Sequence, residues 1–169
     1  MNSLTKRQVF FSFHYELDSW RVNQIKQIGA IEGQKICNPN EWEQVKRQGD
    51  NAIKRWIDDN MKHRSCVIVL IGKETAGRKW VKYEIEKAWK DGKGLMGIYI
   101  HNVKDSNHNV KDSNSRTTSK GLNPFDFIFN SNGDRLSKYV PTFNENGDYG
   151  SIREKLHEWI EMAIENKKN

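Results

Sequence analysis

The chain holds only two cysteines, Cys37 and Cys66, in 169 residues. Two thiols are too few for a disulfide scaffold or a cysteine-based zinc site. No stretch is apolar for long enough to cross a bilayer. The opening Met1-Asn2-Ser3-Leu4-Thr5-Lys6-Arg7 lacks the apolar run of a secretion signal. These absences set the expectation of a cytoplasmic protein with free thiols and no membrane partner. Catalytic signatures are missing too. There is no Gly-rich phosphate loop ending in Lys-Ser or Lys-Thr, which argues against a P-loop NTPase, and no Gly-x-Gly-x-x-Gly after the first strand, which argues against a Rossmann dehydrogenase. No His-Glu-x-x-His appears, and His14, His63, His101, His108 and His157 show no ligand spacing, so no metal is expected. Ser12 lacks the Gly-x-Ser-x-Gly elbow of a hydrolase. The run Leu70-Ile71-Gly72 ends without the aspartate of a phospho-acceptor strand.

What is present is a polar, basic chain with many aromatic rings. The 28 Lys and Arg exceed the 22 Asp and Glu by 6, and the mean hydropathy is −0.88. Six Trp, seven Phe and five Tyr need a core to hide in, which excludes disorder. The length suits one domain spanning 1–169. Basic residues recur along the chain with acids between them and form no uninterrupted tract, which argues against a nucleic-acid partner. A small phosphate-bearing ligand needs only two or three well-placed donors and uses the same charge more economically.

The pattern along the chain alternates strand and helix. Gln8 to Phe13 reads as a buried strand. Asp18 and Ser19 are candidate caps for a helix carrying Trp20, Val22, Ile25 and Ile28 inward, with Gly29 as its stop. Lys35-Ile36-Cys37 is a weak second strand ended by Asn38-Pro39-Asn40. A helix is predicted over about 50–61. Cys66 to Gly72 is the strongest strand, continuously apolar as a central parallel strand is. Trp80 to Asp91 is the next helix, with Val81, Ile85, Ala88 and Trp89 inward, and Leu95 to Ile100 another strand. His101 to Asn123 is a polar insertion, long enough to be mobile or functional. Phe125 to Phe129 alternates like an edge strand, and Asn132-Gly133 signals a turn. Ile152, Leu156, Trp159, Ile160, Ala163 and Ile164 line a closing helix over about 150–166. The core is expected over about 7–130. The order defines an α/β fold with a mostly parallel sheet flanked by helices, and ligands in such sheets bind beyond the carboxyl ends of the strands.

One helix carries a chemical signal. Trp80 and Glu84 lie one turn apart and share a face. On spacing alone the simpler reading packs Trp80 in the core and pairs Glu84 with Lys82 or Lys87 at the surface. The wider pattern adds to this. Val9-Phe10-Phe11-Ser12-Phe13-His14-Tyr15 resembles the first strand of a TIR domain, and Trp80-x-x-x-Glu84 resembles the Trp-x-x-x-Glu of TIR domains that consume NAD. Arg21-Val22-Asn23, Trp42-Glu43, Asp50-x-Ala52-Ile53-Lys54-Arg55, Leu70-Ile71-Gly72, Arg78-x-Trp80-Val81-x-Tyr83-Glu84-Ile85 and Lys120-Gly121-x-Asn123-Pro124-Phe125-Asp126 resemble, in order, the TIR-like sensors of bacterial Thoeris antiphage systems. The match runs from about Arg7 to Phe127.

This resemblance implies a flavodoxin-like, TIR-like three-layer fold and an enzyme that hydrolyses or cyclises NAD to an ADP-ribose-type signal for a downstream effector. It also implies self-assembly, with NAD as substrate and no further cofactor. Glu84 becomes the candidate catalytic carboxylate. Phe11 and Trp80 become candidate ring platforms, and Ser12 ends the same strand beside them. Arg21, Arg78 and Lys79 are candidate diphosphate donors, and His14 is a candidate donor to phosphate or ribose. Asn38 and Trp42 fall in the segment that TIR domains use for assembly. Many relatives carry an acid near Asn38 where this chain has an amide, a departure that bears against a sugar-binding role there. The rival function is a non-catalytic TIR-like adaptor that binds partners through Asn38 to Gly49.

Overall fold

The computed structural model describes residues 6–104 and 117–168. Residues 105–116, the middle of the polar insertion, and the termini lie outside the described residues. Five strands form one parallel sheet: β1 (Arg7–Ser12), β2 (Ile31–Glu32), β3 (Cys66–Ile71), β4 (Gly94–Tyr99) and β5 (Thr142–Phe143), in the order β2-β1-β3-β4-β5. The helices are α1 (Tyr15–Lys26), α2 (Pro39–Arg47), α3 (Asp50–Met61), α4 (Lys79–Lys90) and α5 (Tyr149–Lys168). The α/β class and the parallel sheet expected from the sequence are both observed.

The alternation of side chains along the strands splits the core in two. Val9 and Phe11 of β1, Cys66, Ile68 and Leu70 of β3, and Met96 and Ile98 of β4 face α1 and α5. Phe10, Val67, Val69, Ile71, Leu95 and Tyr99 face α3 and α4. Both faces of β3 are covered, which explains its unbroken apolar sequence. The order 2-1-3-4-5 reverses direction between β1 and β3, so a crevice opens past the carboxyl ends of those two strands.

Local chemistry departs from the sequence reading at four places. Helix α1 starts earlier than the candidate caps Asp18 and Ser19 suggest. His14 caps it, its Nδ1 accepting from the Leu17 amide at 3.2 Å, and Trp20 faces solvent instead of the core. The second strand is Ile31–Glu32, not Lys35 to Cys37. Beyond it the Gln34 side chain takes over the ladder, its Oε1 accepting from Phe11 N–H and its Nε2 donating to Phe11 C=O, each at 2.9 Å. Asn38-Pro39, read as a strand breaker, opens α2: Asn38 Oδ1 caps the Glu41 amide at 2.9 Å, and Pro39 needs no donor at the first helical position. Phe125 to Phe129 is not an edge strand. Asn123 and Pro124 wind Pro124–Phe127 into a 3-10 turn that buries Phe125 and leaves Phe127 and Phe129 at 53% and 57% exposure. The edge position belongs to β5, whose Thr142 and Phe143 pair with Gly97 and Ile98.

The insertion returns to the sheet at Gly121. A Cβ there would lie 1.9 Å from the Gly72 carbonyl oxygen, a backbone atom that cannot step aside. Gly121→Ala is expected to lower the urea unfolding free energy by about 2 kcal/mol, the usual scale for forcing atoms into a packed site. An unchanged unfolding midpoint would show that this backbone approach is not tight in solution.

Candidate active site

The crevice is built from the end of β1, the start of α4 and the segment before α2. On α4 the buried residues are Val81, Glu84, Ile85 and Ala88, so a carboxyl stands within a helical apolar stripe. Its exposure is 7%. Ser12, the last residue of β1, donates its hydroxyl to Glu84 Oε1 at 2.7 Å. Burial drives the Glu84 carboxyl up to about 8, and the Ser12 hydroxyl pulls it only part of the way back. At neutral pH the group is therefore mostly protonated.

Glu84 borders a narrow cavity of about 60 Å³. Phe11, Phe13, Tyr15, Trp42, Trp56 and Trp80 supply its ring walls, with Gln34 and Cys37 between them. The Phe11 ring lies against Gly33, where a Cβ would come within 2.4 Å of it. Tyr15 and Trp42 approach to 5.6 Å between ring centroids, and Trp42 meets Trp56 edge-on at 5.7 Å. The cavity is small against the roughly 300–1,000 Å³ of small-molecule sites. Two wider clefts adjoin it through shared walls. One, about 650 Å³, runs along α2 past Tyr15, Trp20, Asn38 and Trp42. The other, about 380 Å³, runs toward the start of α4 past Phe13, Glu16, Lys46, Arg78 and Trp80.

The structure brings Phe11, Ser12, Trp80 and Glu84 together at the cavity. Arg78 lines the 380 Å³ cleft at its rim. His14 is buried beside it. Burial and the neighbouring Arg78 hold its imidazole below the usual range, which favours the neutral ring. Asn38 borders the wider cleft, with both polar atoms of its side chain engaged by Glu41. Lys79 also lines the 380 Å³ cleft, paired with Asp50 at the start of α3 at 2.6 Å. Arg21 departs from the sequence reading: it does not reach the crevice. It is 3% exposed, with Nε on the Val103 carbonyl at 2.9 Å and Nη1 3.4 Å from Asp18, so it ties α1 to the segment after β4. The surface pairing of Glu84 with Lys82 or Lys87 is not observed, since Lys87 pairs with Asp91 and Asp58. Sequence reasoning missed Gln34, Glu16 and Lys46. A polar residue at 84 in an apolar i, i+3, i+4, i+7 stripe was the signal available for Glu84, while Gln34 carried none.

A parallel 2-1-3-4-5 sheet with a carboxyl and aromatic walls at its reversal point defines an α/β domain of TIR-like build. The sequence profile of the family described as Thoeris protein ThsB, TIR-like domain, matches residues 10–105. A protein of Bacillus cereus (strain MSX-D12) named "Putative cyclic ADP-D-ribose synthase ThsB1" is 36% identical over 154 residues, covering 86% of this chain and 77% of that relative. The chain belongs to the TIR-like family of Thoeris ThsB proteins. Among the described residues, no helix is long and apolar enough to cross a membrane.

The raised Glu84 carboxyl fixes the sign of a stability effect. The unfolded chain loses this proton near the ordinary glutamate value of 4.5, and the folded chain keeps it to about 8. The contribution is therefore fully present below about 4.5 and falls as pH rises toward 8. Glu84→Gln removes the dependence. Its stability relative to the parent is expected to improve by about 3 kcal/mol between pH 5 and pH 8, read from paired urea titrations. A difference that does not change with pH would mean the carboxyl is already ionised in the fold.

Proposed function

We propose that this protein breaks the nicotinamide–ribose bond of NAD and closes the ADP-ribosyl group into a cyclic ADP-ribose-type product, the nucleotide signal of a Thoeris antiphage system. The observation that carries this reading is Glu84: a lone carboxyl on an apolar helix stripe, bonded to Ser12 inside an aromatic cavity. Its relative's name supports the reaction class. A protein-binding adaptor has no use for such a group, because burying it costs stability.

The chemistry follows from charge. NAD brings a cationic nicotinamide ring, and bond cleavage moves that positive charge onto the ribose as an oxocarbenium ion. A cation entering the cavity favours the ionised form of Glu84, so its proton leaves as substrate binds. The carboxylate then faces the developing charge in a site poor in water, where the attraction is strong. The bonding pair of the N-glycosidic bond departs with nicotinamide, which leaves neutral and needs no acid. The oxocarbenium carbon is captured by a nitrogen or hydroxyl of the same ADP-ribosyl group, which then gives up its proton to the Glu84 carboxylate and returns it to the protonated resting form. Capture by water would give ADP-ribose instead, and the ring walls of Phe11, Phe13, Trp42 and Trp80 act against it by filling the space around the sugar. Ser12 holds Glu84 in place throughout. A separate effector reads the product, the protein acts in the cytoplasm, and self-association through its helices completes the partner set of this proposal.

Mass spectrometry of nucleotides after incubation with NAD tests the reading. Nicotinamide and a cyclic product are expected from the parent. Glu84→Gln is expected to lose at least about a hundredfold in turnover while remaining folded, and undiminished turnover would remove Glu84 from the mechanism. Because the free enzyme must ionise Glu84, kcat/KM is expected to rise with pH and level off above about 8. Ser12→Ala should move that inflection to higher pH, since the hydroxyl favours the ionised form.

A further inference from the structure

The cleft of about 380 Å³ beside the Glu84 cavity contains a carboxylate set between two cations. Glu16, in the first turn of α1, places Oε1 3.5 Å from Lys46 Nζ of α2 and Oε2 3.7 Å from Arg78 Nη2 at the start of α4. Its Oε2 also lies 3.5 Å from His14 Nδ1. That nitrogen accepts from the Leu17 amide, so it carries no proton toward Glu16. Lys46 has a second acid, Glu43 of its own helix, at 2.8 Å. The burial of Glu16 works against its charge, but its own backbone amide, Lys46 and Arg78 act the other way and keep the carboxyl below its usual range.

Three separate elements thus aim charge at one point of a cleft. The two clefts beside Glu84 differ in this respect. The wider one is lined by Glu16 and Glu43 with no lysine or arginine, whereas the narrower one is lined by Lys46, Arg78 and Lys79. The narrower cleft shares Phe13, Tyr15, Trp42 and Trp80 with the Glu84 cavity. In NAD the diphosphate is joined directly to the nicotinamide ribose, so a site that holds the ribose at Glu84 must place the diphosphate next door. The cationic cleft is the neighbour that suits it. Glu16, Lys46 and Arg78 have side-chain exposures of 48%, 35% and 49%. Pairs this open to water are held weakly, so a dianion can replace the single carboxylate.

We propose that Glu16 is a built-in substitute for the diphosphate of NAD: it occupies the anion position between Lys46 and Arg78 and is displaced when the substrate enters. This rests on the NAD reading for the identity of the dianion. Glu16 competes with substrate and sets how much NAD the enzyme needs before it responds, without taking part in bond cleavage.

The test uses Glu16→Gln, Arg78→Gln and the double variant, with two probes. Steady-state turnover of NAD gives kcat and KM. Calorimetry with inorganic pyrophosphate, in a Glu84→Gln background, gives anion affinity without turnover. Glu16→Gln is expected to lower KM about three- to tenfold with kcat unchanged, and to tighten pyrophosphate binding by a similar factor. Arg78→Gln is expected to weaken both, and the gain from Glu16→Gln should vanish in the double variant. Pyrophosphate binding that is unchanged or weaker in Glu16→Gln, or a gain that persists without Arg78, overturns the proposal. If pyrophosphate binding tightens as expected while no protein consumes NAD, the anion site stands and the NAD reading falls. If NAD is consumed and Glu16→Gln leaves KM unaltered, the reading stands and the proposal falls.

Discussion

The hydrogen bond from Ser12 to Glu84 joins the end of a central strand to the buried face of α4, and it does so with a carboxyl where the packing pattern calls for an aliphatic side chain. An ionised carboxylate at that depth carries a desolvation penalty of several kcal/mol. The protonated form avoids most of it and still accepts from Ser12. The resting site is therefore uncharged, and a cation is what turns it into a charged one. The same burial that makes Glu84 expensive as an anion keeps it protonated at neutral pH.

The surroundings follow from that arrangement. Rings surround the carboxyl on several sides, and their edges limit the cavity to a small volume. Phe11 can lie there because residue 33 is glycine, and its backbone can run on past the end of β2 because Gln34 satisfies both of its polar groups. Charge is held one step further out, on Glu16, Lys46 and Arg78, where water softens it. Apolar walls thus enclose a neutral acid, and half-exposed charged side chains border them.

How much of this could be read in advance depended on whether the signal was periodic. Strands β3 and β4 and helices α3 and α4 fell within a residue or so of their expected bounds, because Val67 to Ile71 and the Val81, Ile85, Ala88 stripe are set by burial on a regular lattice. The Trp80 and Glu84 pair was visible for the same reason. Helix α2 escaped because its apolar face is only Trp42 and Val45, both partly buried, too few to register as a stripe; its Asn38-Pro39 start marks it, but that dipeptide also breaks strands. The two-residue strands β2 and β5 are too short for alternation to register. Arg21 was misplaced because a buried arginine and a solvated one look alike in sequence; its partners, Asp18 and the Val103 carbonyl, become neighbours only through the fold. Lys46 and Glu16 lie 30 positions apart and meet across two helices, which no local pattern reports.

Both outer strands of the sheet, β2 at one side and β5 at the other, span only two residues each. A row of unpaired backbone groups that brief cannot template a further strand, and short borders are a common guard against runaway stacking. Any assembly of this chain with copies of itself is thereby directed to helical and loop surfaces, where contacts can form and release without rewriting the backbone ladder.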